Sequence, residues 1–162
     1  MVIVLKDKTA KNLDYVRCME IAAVHDLAEA IVGDIDHVSI VDGKVSKKEK
    51  NELEAKAINK ISKDLGNSVG ERIKCLWQEY ENHETEEAKF VKALDKIECI
   101  TQLVESGHKT YDRPELIACY ADNATKNFLE LLPYLKEAKR RLRAEYKKGN
   151  HEWKEEYNYG LK

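Results

Sequence analysis

Apolar residues recur every three or four positions along most of the chain, which is the period of an amphipathic α-helix. Glycine, proline and capping residues divide this pattern into segments. The predicted helices cover about 12–32, 46–65, 68–80, 85–106, 114–132 and 133–146, and residues 36–45 are predicted to form a loop. Because no stretch alternates apolar and polar residues as a half-buried strand does, the pattern predicts an all-α, single-domain helical bundle.

Local signals predict where the second of these helices begins, ends and packs. Ser46-Lys-Lys-Glu49 has the spacing of a capping box, and Gly66 is a natural helix stop. The apolar residues that recur at every fourth position between these ends are predicted to form the buried stripe: Leu53, Ala57, Ile61 and Leu65. A second capping pattern, Ser68-Val-Gly-Glu71, predicts the start of the next helix, whose aromatic residues Trp77 and Tyr80 are predicted core residues.

Composition and charge exclude several classes of partner. The 162 residues are 36% charged with a net charge of −2, which gives no electrostatic basis for binding nucleic acid or an anionic membrane. The basic residues from Lys139 to Lys148 are predicted to be a solvated helix end. No apolar run is long enough to span a bilayer, and the first residues lack the pattern of a signal peptide. The four scattered cysteines form no CxxC pair and predict reduced thiols, so we expect a soluble cytoplasmic protein.

The stretch from Ala22 to Asp34 carries the candidate chemistry. His25 and Asp26 are adjacent in an apolar run, Glu29 follows the histidine at the spacing of one helical turn, and Asp34 lies just beyond Gly33. Placing an imidazole and carboxylates among apolar residues is costly unless their charge is compensated. A bound divalent metal would compensate it, because deprotonated imidazole and carboxylate are both good ligands. The alternative is a core histidine that is satisfied by a carboxylate partner.

Several short motifs together resemble one known family. They are Val24-His-Asp-Leu-Ala-Glu29, Val32-Gly-Asp-Ile35, Val45-Ser-Lys-Lys-Glu-Lys50, Leu76-Trp-Gln-Glu-Tyr-Glu81 and Ala88-Lys-Phe-Val-Lys-Ala-Leu-Asp95. Over about residues 1 to 130 the chain resembles the HD-domain phosphohydrolase superfamily, and within it the 5′-deoxynucleotidase branch. The resemblance implies a helical bundle of the HD-domain type. With the last predicted helix and Gly149 taken into account, we expect this domain over residues 1–148, followed by a C-terminal tail over 149–162.

The resemblance also implies a chemistry and a set of residues. His25, Asp26 and Asp95 would hold a divalent metal ion such as Mn²⁺, Co²⁺, Fe²⁺ or Mg²⁺. Glu29 would orient or deprotonate the attacking water, and Asp34 would contact the sugar or the water on the phosphate side. The implied reaction hydrolyses deoxynucleoside monophosphates to deoxynucleoside and phosphate, so the partner is a small nucleotide, and the family resemblance leads us to expect a homodimer. For Asp95 the residues alone leave open an exposed acid on a solvated helix face.

The chain departs from the family pattern upstream of the His-Asp pair. The resemblance implies a first metal-ligand histidine on an N-terminal helix, but no histidine precedes His25. We therefore expect that the sequence is shortened or that this variant has lost one ligand, with His37 as a candidate substitute. Two other functions stay open: an HD hydrolase that acts on another nucleotide phosphate, and a helical HD interaction module without catalysis.

Overall fold

The computed structural model describes residues 1–5, 8–9 and 11–161. Its α-helices, in chain order, are α1 (Val2–Leu5), α2 (Tyr15–Val24), α3 (Glu29–Val32), α4 (His37–Val41), α5 (Lys47–Leu65), α6 (Asn67–Asn82), α7 (Glu86–Ser106), α8 (Pro114–Ile117), α9 (Asp122–Thr125) and α10 (Leu132–Lys148). Short 3₁₀ turns cover His108–Thr110, Leu129–Leu131 and Glu155–Asn158. No strand occurs among the described residues, which confirms the all-α class. Within the same residues no helix has the length and apolar character needed to cross a membrane.

The chain divides into two compact units. One comprises Met1–Tyr15 together with Lys89–Lys162, and the other comprises Val16–Ala88. In the second unit α5 packs against both α3 and α6. The core at these contacts is built from Ala28, Ala57, Ile58 and Trp77. Burial of Trp77 and Tyr80 confirms the prediction that both aromatic residues belong to the core.

Helix α5 has the predicted ends but a different buried face. The Ser46 side chain accepts a hydrogen bond from the Glu49 amide, and the Glu49 carboxylate accepts one from the Ser46 amide, so the capping box is confirmed. Leu53 and Leu65 were predicted to be buried, but they are 42% and 51% exposed. The residues of α5 that are buried are Glu54, Ala57, Ile58 and Ser62. A strict four-residue repeat drifts about 40° around a helix at each step, so its two ends cannot lie on one face.

Helix α6 begins one residue after Gly66, so the predicted capping Ser68 lies inside the helix and the capping prediction is wrong. The two helices approach closely at Gly70. A Cβ atom at that position would lie 2.1 Å from the Ser62 carbonyl oxygen on α5. Glycine is therefore required at this crossing for its lack of a side chain.

Three helix predictions need correction. The helix predicted over 12–32 is interrupted between α2 and α3 by a turn over residues 25–28, although it does end at Gly33, whose φ is +77°. The loop predicted over 36–45 contains α4, which begins because the Asp36 side chain accepts a hydrogen bond from the Ser39 amide at 2.6 Å. The helix predicted from Pro114 to Leu132 is broken into α8, α9 and a 3₁₀ turn. At the break the Tyr120 amide bonds the Ile117 carbonyl, a three-residue bond that ends the α-helical ladder.

The first unit packs the C-terminal residues onto α10. The rings of Trp153 and Tyr157 lie 5.2 and 6.4 Å from that of Tyr146, and the Tyr157 side chain is buried. Lys139 is the exception within the predicted solvated basic helix end, because its side chain is fully buried. The other basic residues of that stretch are exposed, as predicted: Arg140, Arg141, Arg143, Lys147 and Lys148. Its ammonium lies 2.6 Å from Asp122 Oδ1 and donates to the Tyr157 carbonyl at 3.0 Å. The predicted domain boundary after residue 148 stays a prediction.

Candidate functional site

The turn over residues 25–28 brings two of the predicted site residues to the ends of two helices. The Leu27 amide bonds the Val24 carbonyl at 3.1 Å and the Glu29 amide bonds the Asp26 carbonyl at 3.0 Å. These three-residue bonds tighten the chain where a continuous helix was predicted. His25 therefore follows the last residue of α2, whereas Glu29 is the first residue of α3.

Two contacts orient the His25 ring. Its Nδ1 lies 2.9 Å from the Ala22 carbonyl oxygen, which can only accept, so we assign the proton to Nδ1. Its Nε2 lies 3.0 Å from Asp26 Oδ2. A lone pair and a carboxylate oxygen do not share so short a contact unless a proton or another cation lies between or beside them. The pair therefore calls for a cation, which is either a second proton on the imidazole or a metal ion.

Helix α6 packs against the His25 ring through Tyr80. Tyr80 packs its ring edge-on against His25, with the ring centroids 5.0 Å apart. The adjacent Glu79 is buried, pairs with the Arg17 guanidinium of α2 and accepts a hydrogen bond from Thr85 Oγ1 at 2.5 Å. This network ties α6 to α2 next to the histidine. Sequence reasoning assigned Tyr80 to the core and passed over Glu79, although both lie in the motif Leu76–Glu81 that carried the family resemblance.

Glu29 is half-buried among other carboxylates. Burial raises the pKa of Glu29, and the negative charges of Asp26, Asp34 and Glu54 raise it further. The positive charge of Lys50 acts in the opposite direction. A carboxyl whose pKa is raised toward neutrality is a stronger base when ionised, and this is the property required of a group that accepts a proton from water.

Lys50 is a residue of this site that sequence reasoning did not single out. Its ammonium donates to the Ile35 carbonyl oxygen at 3.1 Å and pairs with Glu54 Oε1 at 3.0 Å. Burial alone would lower the pKa of Lys50, but the carboxylates of Glu54, Glu29 and Asp34 outweigh it and raise that pKa. The available signal was its place in the motif Val45–Lys50, together with the four-residue spacing to Glu54.

The remaining predicted ligand residues are Asp95 and the candidate substitute His37. Asp95 is half-buried on α7 in the other unit, and His37 is exposed as the first residue of α4. The described residues contain no group of three or more His, Cys, Asp or Glu side chains that could hold a metal ion as they stand. The chemistry of the donors nevertheless fits a divalent ion at His25 and Asp26, because the Ala22 carbonyl orients the imidazole through Nδ1 and places Nε2 beside a carboxylate oxygen. The full ligand set stays a prediction.

Comparison with known proteins places these residues in a family. A sequence profile described as HD domain matches residues 1–135. The chain is 43% identical over 95 residues to the 5′-deoxynucleotidase HDDC2 of Dictyostelium discoideum, which covers 59% of this chain and 48% of that protein. It is 46% identical over 98 residues to the 5′-deoxynucleotidase hdd1 of Schizosaccharomyces pombe, covering 57% and 47%. It is 40% identical over 105 residues to the 5′-deoxynucleotidase HDDC2 of Homo sapiens, covering 65% and 48%.

The chain spans about half the length of the curated relatives it matches. The profile covers a larger part of this chain and includes every predicted site residue from His25 to Asp95. The resemblance to the HD-domain family is thereby confirmed, and the chain belongs to that family.

Proposed function

We propose that this chain carries a metal-dependent phosphohydrolase activity, and that its substrates are deoxynucleoside 5′-monophosphates. The observation that carries the proposal is the cation-demanding contact between His25 Nε2 and Asp26 Oδ2, with the partly buried Glu29 one short turn away. The relatives at 40–46% identity bear the name 5′-deoxynucleotidase, which supports the choice of substrate class.

His25, Asp26 and Asp95 are the residues that would hold the ion. HD phosphohydrolases generally use divalent metals. When bound, such an ion lowers the pKa of water and offsets negative charge on phosphoryl oxygens. Mn²⁺, Co²⁺, Fe²⁺ and Mg²⁺ are the candidates we propose to compare, since imidazole and carboxylate ligands suit all four.

The chain's own carboxylates would supply the proton transfer and part of the substrate binding. Glu29 orients the attacking water and accepts its proton, a task that its raised pKa suits. Asp34 is exposed beyond the turn at Gly33, where its carboxylate is available to accept a hydrogen bond from a sugar hydroxyl. The ring of Tyr80 holds the His25 imidazole in one orientation.

The direct test measures phosphate release from each deoxynucleoside and ribonucleoside 5′-monophosphate, with each of the four metals supplied in turn. We expect release from deoxynucleotides, and a loss of about 100- to 10,000-fold in kcat for Glu29→Gln, because general-base assistance has that magnitude. Asp64→Asn is the matched control. Asp64 is an exposed acid on α5 that pairs with the exposed Lys60, and its replacement should leave the rate within about twofold of the unaltered chain.

Metal content separates the remaining readings. We expect Asp26→Ala to lose bound metal, while Asp64→Asn retains it. Hydrolysis of a cyclic nucleotide to its monophosphate, or of a nucleoside triphosphate, in place of monophosphate hydrolysis would instead identify an HD hydrolase with another substrate, and chromatography of the nucleotide products detects both reactions. An absence of hydrolysis of every nucleotide with every metal would overturn the catalytic proposal and favour a non-catalytic HD interaction module.

The proposal extends to compartment and assembly. None of the four cysteines, all of which lie among the described residues, forms a disulfide, and reduced thiols are typical of a compartment such as the cytoplasm. The family resemblance is the support for a homodimer. Light scattering coupled to size-exclusion chromatography tests it, with about twice the chain mass of 18.7 kDa as the expected result.

A further inference from the structure

The ammonium of Lys50 joins two parts of the candidate site that are distant in sequence. It donates to the Ile35 carbonyl oxygen at 3.1 Å, fifteen residues back along the chain, and lies 3.0 Å from Glu54 one turn further along α5. Glu54 is buried and the Lys50 side chain is largely buried. A charge-assisted hydrogen bond from a side chain that is itself held by a buried partner makes a stiff connection.

The segment that Lys50 holds carries Asp34. Between α3 and α4 the backbone leaves regular structure at Gly33, whose amide still bonds the Glu29 carbonyl at 2.8 Å. Regular structure resumes at Asp36, which caps α4. Asp34 and Ile35 lie between these two anchors, and the hydrogen bond from Lys50 fixes the Ile35 carbonyl to α5. The peptide between Ile35 and Asp36 is therefore tied to α5, the helix that packs against α3.

From this arrangement we propose that Lys50 is a positioning residue of the active site, and that it acts by holding the turn that presents the Asp34 carboxylate. This inference rests on the proposed function for its catalytic consequence. Its structural part, the connection between Lys50 and the turn, stands on the contacts alone. Lys50 acts through Asp34 in this scheme, so its loss should matter only while Asp34 has its carboxylate.

The chain offers a matched control on the same helix. Lys60 also pairs with an acid four residues later, at 2.6 Å, but that pair is exposed. Lys60→Met therefore removes a similar ion pair from α5 without touching the turn. Lys50→Met alone would leave the buried Glu54 carboxylate without its countercharge, which would destabilise the chain. A second comparison therefore sets the double variant Lys50→Met/Glu54→Gln against the single variant Glu54→Gln, since neither of these carries the Glu54 charge.

The first readout is independent of catalysis. The Ile35 carbonyl and the Asp36 N–H belong to one peptide plane, so the ¹⁵N order parameter of Asp36 reports directly on the bond to Lys50. We expect this order parameter to fall from about 0.85 to below about 0.6 in the Lys50→Met variants and to stay unchanged in Lys60→Met. An unchanged value in the Lys50→Met variants would overturn the inference whatever the activity does.

The second readout is kinetic and uses deoxynucleoside monophosphate as substrate. We expect Lys50→Met to lower kcat/KM by about 10- to 100-fold, the usual cost of loosening a group that orients a functional residue, and Lys50→Arg to recover part of the loss. In an Asp34→Asn background the same lysine replacement should cost less than about twofold. Equal losses in both backgrounds, or no loss in either, would overturn the positioning role. If the unaltered chain releases no phosphate, the proposed function fails and the catalytic consequence fails with it, while the order parameter still decides the connection.

Discussion

The buried ion pair of the first unit gives the sharpest test of the energetics. The Lys139 ammonium is fully buried, with the Asp122 carboxylate at 2.6 Å, the Tyr157 carbonyl at 3.0 Å and the Tyr159 ring at 5.7 Å around it. Replacing Asp122 by Asn removes the countercharge and leaves a buried ammonium with neutral partners. We expect a loss of about 3–5 kcal/mol in the free energy of unfolding, the magnitude found when one member of a buried pair is removed.

The opposite replacement should cost less. Lys139→Met removes the ammonium and keeps the volume, and the Asp122 carboxylate that remains is only 13% exposed, so we expect a loss of about 1–3 kcal/mol. The double variant Lys139→Met/Asp122→Asn leaves no buried charge and should lie within about 1 kcal/mol of the unaltered chain, because an apolar replacement of a buried pair is often neutral. The costs are therefore strongly non-additive.

Urea unfolding followed by circular dichroism and by tryptophan fluorescence measures these differences. Arg140→Ala is the control on the same helix, because Arg140 and its partner Glu137 are 68% and 44% exposed and an exposed pair contributes less than about 1 kcal/mol. If the Lys139 and Asp122 costs simply add in the double variant, the two buried charges are not coupled, and the reasoning is refuted.

Two further predictions concern one group in each unit. The Glu145 carboxylate accepts hydrogen bonds from the Lys148 ammonium and from the ring and backbone N–H groups of His108. These bonds, of which that from Lys148 has the largest effect, lower the pKa of Glu145 to about 2. These hydrogen bonds contribute fully to stability above the unfolded pKa of about 4.5, and the contribution is lost as the pH falls toward 2. In urea unfolding, Glu145→Gln should therefore be less stable than the unaltered chain at pH 6, and the difference in the free energy of unfolding should be smaller at pH 3. A difference that stays constant with pH would contradict the assignment. Gly70→Ala should destabilise the chain by about 1–3 kcal/mol in the same assay, because the new Cβ would lie 2.1 Å from the Ser62 carbonyl oxygen. This loss is expected although alanine favours the helix by about 1 kcal/mol over glycine. An unchanged or raised urea midpoint would show that α5 and α6 are not in such close contact.

The site shows where local signals fail. The sequence pattern grouped His25, Asp26, Glu29 and Asp34 because they are neighbours along the chain, and the structure keeps these four residues in one unit. It could not show the break between α2 and α3, since the apolar period runs through residues 25–28 without interruption. The Ala22 carbonyl is bonded by the His25 side chain at this point, and that competition for a backbone acceptor depends on the rotamer of His25, which the apolar pattern does not report.

By itself the sequence determined the helical class, the ends of α5 at Ser46 and Gly66, the stop at Gly33 and membership of the HD domain family. Those features depend on interactions within a few residues: a cap, a positive φ or a short motif. Only the tertiary structure decided which face of α5 is buried, that Lys139 is enclosed, and that Lys50 reaches the Ile35 carbonyl. The physical reason is that burial and long side-chain contacts depend on what packs opposite a residue, and the partners here lie fifteen or more positions away along the chain.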